Sequence, residues 1–68
     1  MKFMLVLVVC TATYNDCDPG MKHKKIFNNW KECVLTGHRE SIDLIKAQPA
    51  GYVDENGIYI KFYCDEVI

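Results

Sequence analysis

The sequence predicts a small α+β domain in which one helix packs on one face of a three- to four-stranded sheet, with disulfides joining the two layers. Three segments predict it: an N-terminal apolar run, a central amphipathic stretch with capping residues, and an alternating segment near the C-terminus. Four cysteines in 68 residues supply the covalent element. A chain of this length holds one domain, residues 1–68, whose core alone rarely gives more than ~3–5 kcal/mol of stability.

The composition excludes two broad classes of protein. Half of the residues are hydrophobic, so the chain is not intrinsically disordered. Eight basic and nine acidic residues give a net charge of −1, so no global charge draws the protein to nucleic acid or to an anionic membrane.

Residues 2–10 are predicted to form the first strand. The run from Phe3 to Cys10 is rich in Val and Leu and is followed by the turn-forming residues 11–20, which is typical of a buried strand. A second interpretation is a short secretory signal with a weak cleavage site after Ala12. The run is too short to span a bilayer. The strand is the favoured interpretation.

A short edge strand and a long helix are predicted next. Residues 24–27 form the edge strand, and the lysines around them discourage further pairing. The helix is expected over residues 30–47, since Asn29 can cap it, Glu32 suits a capping box and Pro49 stops it.

One stripe of the helix is expected to face the sheet. At 100° per residue this stripe contains Trp30, Cys33, Val34, Gly37, Ser41, Leu44 and Ile45. The small residues Gly37 and Ser41 lie one turn apart in its middle. They would let the helix axis approach the sheet closely.

The C-terminal third is predicted to be a hairpin. Residues 51–55 form a short strand, Asn56 and Gly57 a type I′ turn, and residues 58–64 the last strand. Alternation places Ile58, Ile60, Phe62 and Cys64 on one face, and Tyr59, Lys61 and Tyr63 on the other. If the first and last strands are neighbours joined through the helix, they form a β-α-β core with parallel strands.

The cysteines are expected to be structural. A parallel core would gather Cys10, Cys33 and Cys64 at one end of the domain, with Cys17 in the loop beside them. Four thiols allow three pairings. Geometry favours Cys33–Cys64, which joins the core stripe of the helix to the core face of the last strand, together with a local Cys10–Cys17 bridge.

Two other uses of the cysteines remain open. They could be free thiols in a cytosolic protein. They could also bind zinc, with His23 and His38 as spare ligands, although the chain has no C-x-x-C pair of the kind that zinc sites use. Neither a metal nor a cofactor is predicted.

No residue is predicted to be catalytic. His38, Arg39 and Ser41 are of hydrolase type, but neighbouring helical residues point in different directions and form no triad. The basic segment at residues 22–25 is better explained as protection of a sheet edge than as a phosphate contact, so nucleic acid is not the favoured partner.

An interaction surface is predicted on the sheet. The first strand is apolar on both sides, whereas one helix covers one face only, so another surface must cover the second. The predicted interface residues are Phe3, Leu5, Leu7, Tyr59 and Tyr63. The expected occupant is a second copy of the chain or another protein.

The chain resembles a loose group of small uncharacterised proteins from bacteriophages and some bacteria. The resemblance rests on Met1-Lys2-Phe3, on the spacing from Phe27 to Cys33, and on a last strand that ends at Cys64. It spans nearly the whole chain with motifs of low specificity. It implies the same architecture, a phage origin and a Cys33–Cys64 bridge that leaves Cys10 for Cys17, and it implies no activity.

These observations predict a non-enzymatic, disulfide-stabilised interaction protein that binds a host or viral protein through its exposed sheet face. The alternative is a cytosolic zinc- or nucleic-acid-binding module. The cysteines and the signal-like start favour a secreted or periplasmic location, with the host cytoplasm as the alternative.

Overall fold

The fold is one long helix on one face of a four-stranded sheet, as the sequence predicts in outline, and the sheet is antiparallel throughout. The computed structural model describes residues 1–67. In chain order the elements are β1 (Lys2–Thr11), β2 (Asp16–Cys17), β3 (Met21–Phe27), α1 (Trp30–Lys46), α2 (Tyr52–Asn56) and β4 (Ile58–Val67).

The strand β1 lies at the centre of the sheet, with paired strands along both of its edges. It pairs with β4 over its whole length, from Lys2 opposite Val67 to Thr11 opposite Ile58. Its other side pairs with β3 near the N-terminus and with the two-residue β2 near the C-terminus.

The predicted parallel β-α-β core is wrong, because β4 runs antiparallel to β1. The reason lies in β3, which is a full seven-residue strand that reverses the chain before the helix begins. Phe27 lies opposite Phe3, so α1 starts at the N-terminal end of β1 and runs along it. The chain must then return in the opposite direction as β4.

The predicted strand at residues 51–55 and its I′ hairpin turn are also wrong. Residues Tyr52–Asn56 form the short helix α2. Gly57 adopts the left-handed conformation, with φ 60° and ψ 48°, and its N–H donates to the carbonyl of Val53. Asn-Gly suits a helix C-terminus as well as a hairpin, because both need positive φ, so the dipeptide alone does not distinguish them.

The hydrophobic core lies between α1 and the face of the sheet that carries the odd-numbered residues of β1. Its buried centre is formed by Leu5, Leu7, Phe27 and Cys33, with Phe3, Leu44, Ile60, Phe62 and Cys64 packed around it. The predicted alternation of the last strand is therefore confirmed at its core-facing positions.

The cap and the position of Gly37 in α1 agree with the sequence prediction, whereas Trp30, which the sequence predicts on the buried stripe, is 57% exposed. The Oδ1 of Asn29 accepts a hydrogen bond from the backbone N–H of Glu32 at 2.8 Å and so caps the first turn. Gly37 is buried, and a Cβ placed on it would overlap the ring of Phe62. The close approach of the helix to the sheet occurs at this predicted position.

Candidate interaction surface

The face of the sheet opposite α1 is the candidate site, and strand register decides which side chains it carries. Even-numbered residues of β1 point away from the helix, with Met4 opposite Ile26 and Asp65, and Val6 opposite Lys22 and Tyr63. We call this surface the open face, and define it as Met4, Val6, Lys22, Ile26, Tyr59, Lys61, Tyr63 and Asp65.

The open face presents apolar and aromatic groups to solvent. The exposed fraction is 50% for Tyr63, 42% for Ile26 and 39% for Tyr59, and Met4 and Val6 are half-buried between them. No helix lies over them among residues 1–67, since α1 packs on the other face. An apolar surface of this kind, rimmed by charge, is typical of an interaction site.

Only part of the predicted interface lies on this face. Tyr59 and Tyr63 do, but Leu5 and Leu7 are buried beneath the helix, and Phe3 is half-buried against Trp30 with ring centroids 5.6 Å apart. The assignment of Phe3, Leu5 and Leu7 is wrong because antiparallel register sets Leu5 opposite Cys64 and Leu7 opposite Phe62. Both partners point into the core. The alternate residues Met4 and Val6 take their place on the open face.

The end of the open face near β2 is covered by the chain itself. Cys10 is fully buried and Val8 nearly so, although both lie on the side away from the helix. The Cys10–Cys17 bridge closes over this end. Gly20 also packs against this end of the face: a Cβ placed on Gly20 would be 3.1 Å from Val6 Cγ1 and 3.4 Å from Val8 Cγ2. The exposed apolar area is therefore concentrated around Met4, Ile26 and Tyr63.

The basic segment at residues 22–25 is divided between the two sides of the sheet. Lys22 lies on the open face. His23 reaches Glu40 of the helix, with Nε2 3.4 Å from Oε1, and the Lys25 ammonium lies 5.3 Å from the centre of the Phe27 ring. These contacts place His23 and Lys25 on the helix side, so Lys22 is the residue of this segment that belongs to the open face as defined above. The segment does not form one continuous basic stripe.

The four cysteines form two disulfides, Cys33–Cys64 and Cys10–Cys17, which are the pairs favoured by the sequence. Their sulfurs are thus not thiolate ligands for zinc. The predicted gathering of all four at one end is wrong. Cys64 lies opposite Leu5 and Cys10 opposite Tyr59, so the bridges lie five positions apart along the sheet, or about 17 Å.

A groove on the helix side was not predicted. It has a volume of about 500 Å³ and runs between the C-terminal half of α1 and β4. Its lining is mostly aliphatic and includes Ile42, Ile45, Val53, Ile58 and Ile60. The sequence signal for it was Ile42, an apolar residue just outside the predicted buried stripe, and the structure leaves its side chain 55% exposed. Val53 could not be added to the groove because residues 51–55 were predicted to be a strand.

Comparison with known protein families, with curated proteins and with solved structures finds no match to this chain. Within residues 1–67, neither helix is long and apolar enough to cross a membrane. In the same part of the chain, no three His, Cys, Asp or Glu side chains converge as metal ligands would.

Proposed function

We propose that this protein is a non-enzymatic binding module whose open face contacts another protein. The observation that carries the proposal is the group of uncovered apolar and aromatic side chains around Met4, Ile26 and Tyr63 on a sheet that has a helix on its other face only. Tyrosine and methionine are enriched at protein interfaces. The rim of the open face carries two lysines, Lys22 and Lys61, and one acidic residue, Asp65. We therefore expect the partner to present an apolar patch that is bordered by acidic side chains.

A protein partner is favoured over nucleic acid for two reasons. Met4, Val6 and Ile26 place aliphatic groups in the middle of the face, where single-stranded nucleic acid would need stacking platforms. The basic segment is also split, because His23 and Lys25 are engaged on the helix side. As expected from the sequence, we propose a host or viral protein as the partner.

The two disulfides fit an oxidising, extracellular environment. We extend this to a secreted or periplasmic site of action. Cleavage after Ala12 is incompatible with this fold, because it would remove the central strand β1 and Cys10 of the Cys10–Cys17 bridge. The signal-like start therefore does not support this location.

Site-specific photo-crosslinking in a bacterial lysate tests the proposal. A photoreactive amino acid replaces Ile26 on the open face, and a control chain carries it at Leu35, which is similarly exposed on the helix side. We expect a discrete protein adduct from position 26 only. An excess of unlabelled wild-type chain or of Leu35→Lys should suppress the adduct, whereas an excess of Met4→Lys should not.

Three outcomes would overturn the proposal: equal adducts from positions 26 and 35, no adduct from position 26, or an adduct that nuclease removes. The last would instead assign the open face to nucleic acid. Circular dichroism of each variant confirms that the competitor chains are folded.

A further inference from the structure

The two edges of the sheet differ in how they are protected against pairing. At the β3 edge, three residues (23–25) lie across from the single residue Leu5, so the edge is bulged, and it also carries lysines. Bulges and lysines are the usual protection of an exposed edge. In β4, by contrast, all ten residues continue an unbroken ladder with β1, without a bulge or a proline and with Lys61 as the only lysine of the strand.

The phase of that ladder shows which backbone groups of β4 point outward. The N–H of Ala12 donates to the carbonyl of Gly57 at 2.9 Å, so the backbone carbonyl of Gly57 points towards β1. In an antiparallel pair, hydrogen-bonded and non-hydrogen-bonded positions alternate. The odd-numbered residues of β4 therefore bond to β1. The even-numbered residues Ile60, Phe62, Cys64 and Glu66 direct their N–H and C=O groups away from it, and among residues 1–67 no strand pairs with them.

Charge then selects one way of pairing this edge with a second copy of itself. In a symmetric antiparallel pair centred on Tyr63, Lys61 lies opposite Asp65 of the second copy, and Asp65 lies opposite Lys61. Both pairs fall on the open face at non-hydrogen-bonded positions, where side chains approach most closely. A pair centred on Lys61 would oppose two lysines. A pair centred on Phe62 would place Tyr63 opposite Lys61, and a pair centred on Cys64 would place Tyr63 opposite Asp65. Neither arrangement forms an ion pair.

The helix side of the same edge is apolar. A cleft of about 280 Å³ lies along β4, bordered by Trp30 and Val34 of the helix and by Phe62 and Tyr63 of the strand. Trp30 is 57% exposed and Ile42, farther along the helix, 55%. Strands in a sheet are ~4.8 Å apart, so a paired second copy would bring its own helix close to these residues. The edge thus offers both backbone hydrogen bonds and apolar surface to the same occupant.

We propose that the protein forms a twofold homodimer in which β4 pairs antiparallel with β4 of a second copy, centred on Tyr63. The even-numbered residues from 60 to 66 then form four hydrogen-bonded pairs, or about eight hydrogen bonds between chains. The two sheets become one continuous sheet. This interface uses the strand edge and leaves the centre of the open face, around Met4 and Ile26, free in both copies.

The backbone part of the proposal is tested with proline. Glu66 donates its N–H outward, so Glu66→Pro removes one intermolecular hydrogen bond per chain and leaves the ladder with β1 intact. We expect sedimentation velocity to show a wild-type dimer at tens of micromolar, and Glu66→Pro to weaken dimerisation at least ~30-fold. The matched variant Glu66→Ala should dimerise like the wild type. Circular dichroism checks that Glu66→Pro is folded.

The register is tested by charge reversal. Lys61→Asp alone sets two pairs of like charges across the dyad, as does Asp65→Lys alone, so each variant should dimerise about tenfold or more weakly. Mixing the two variants restores opposite charges at both positions. The mixture should therefore form a heterodimer with about the wild-type affinity, detectable by native mass spectrometry because the two chains differ in mass.

Several results would overturn the homodimer. These are a wild-type chain that stays monomeric at hundreds of micromolar, a dimer indifferent to Glu66→Pro, and a mixture of the reversed chains that forms no heterodimer. A dimer that is abolished by Met4→Lys but unchanged by the edge variants Glu66→Pro, Lys61→Asp and Asp65→Lys would also overturn it. The contact between the copies would then be face to face. Loss of the crosslinked partner with retention of the dimer would contradict the proposed function and leave this inference intact.

Discussion

The ring of Phe62 in β4 packs directly against Gly37 of α1, and there is no space for a side chain between them. This contact sets the distance between the helix and the sheet. It also explains a glycine in the middle of a seventeen-residue helix, where glycine costs ~1 kcal/mol relative to alanine.

Gly37→Ala is therefore expected to destabilise the protein despite the gain in helix propensity. Overpacking costs ~1–3 kcal/mol, and the overlap of the new Cβ with the Phe62 ring places Gly37→Ala in the upper part of that range, above the propensity gain of ~1 kcal/mol. Urea denaturation measures the difference, with the exposed Lys31→Ala as control. Adding Phe62→Leu should recover part of the loss, since it removes the ring that the new methyl group would meet. A Gly37→Ala protein more stable than the wild type would contradict the close approach.

The two disulfides should contribute unequally to stability. The loop closed by Cys33 and Cys64 has about 32 residues and that closed by Cys10 and Cys17 about 8, which corresponds to ~3.7 and ~2.5 kcal/mol by chain entropy. Replacing both cysteines of one pair by alanine should therefore cost more for Cys33 and Cys64. Denaturation of the two double variants under identical conditions gives the comparison. The reverse order would mean that the local bridge holds the sheet together.

Adjacent residues of β1 should respond differently to truncation, because they point to opposite faces. Leu5 is fully buried in the core, whereas Met4 lies on the open face. Leu5→Ala should cost ~2–5 kcal/mol, and Met4→Ala less than ~1 kcal/mol. Thermal or urea unfolding distinguishes them. Equal losses at both positions would mean that the open face is covered as well as the core.

The helix cap gives a second matched pair of neighbours. Asn29→Ala removes the acceptor of the Glu32 N–H and should cost ~1 kcal/mol, with Asp or Ser at position 29 tolerated. Asn28 is exposed and lies outside the cap, so Asn28→Ala should change the free energy of unfolding by less than ~0.5 kcal/mol. The two alanine variants are compared by urea denaturation. An equal effect would show that Asn29 does not act as the cap.

Much of the local structure could be predicted because local signals agreed with one another. The Val- and Leu-rich run became β1, Asn29 capped α1, and the alternation after Gly57 separated the core-facing residues of β4 from Tyr59 and Tyr63. The cysteine pairing could also be predicted, since Cys33 and Cys64 lie on the apolar sides of a helix and a strand that had to pack together.

The errors arose where one local signal suits two structures. Asn56-Gly57 ends a short helix instead of turning a hairpin, because each requires a left-handed glycine. In β1 both alternating sets are apolar, so composition alone could not say whether Leu5 or Met4 faces the helix. The buried pairing with Cys64 decided in favour of Leu5.

The sequence by itself thus determined β1, α1 and β4, the buried sides of α1 and β4, and the covalent links between elements, since propensity, capping and periodicity are properties of neighbouring residues. Only the tertiary structure decided the direction of β4, the separation of the two disulfides and the composition of the open face. The third follows from the register of β1 with β4, which sets Leu5 opposite Cys64, and the first two follow from the long-range pairing of β3 with β1, which reverses the chain before α1. That pairing depends on residues about twenty positions apart, where periodicity within one segment carries no information.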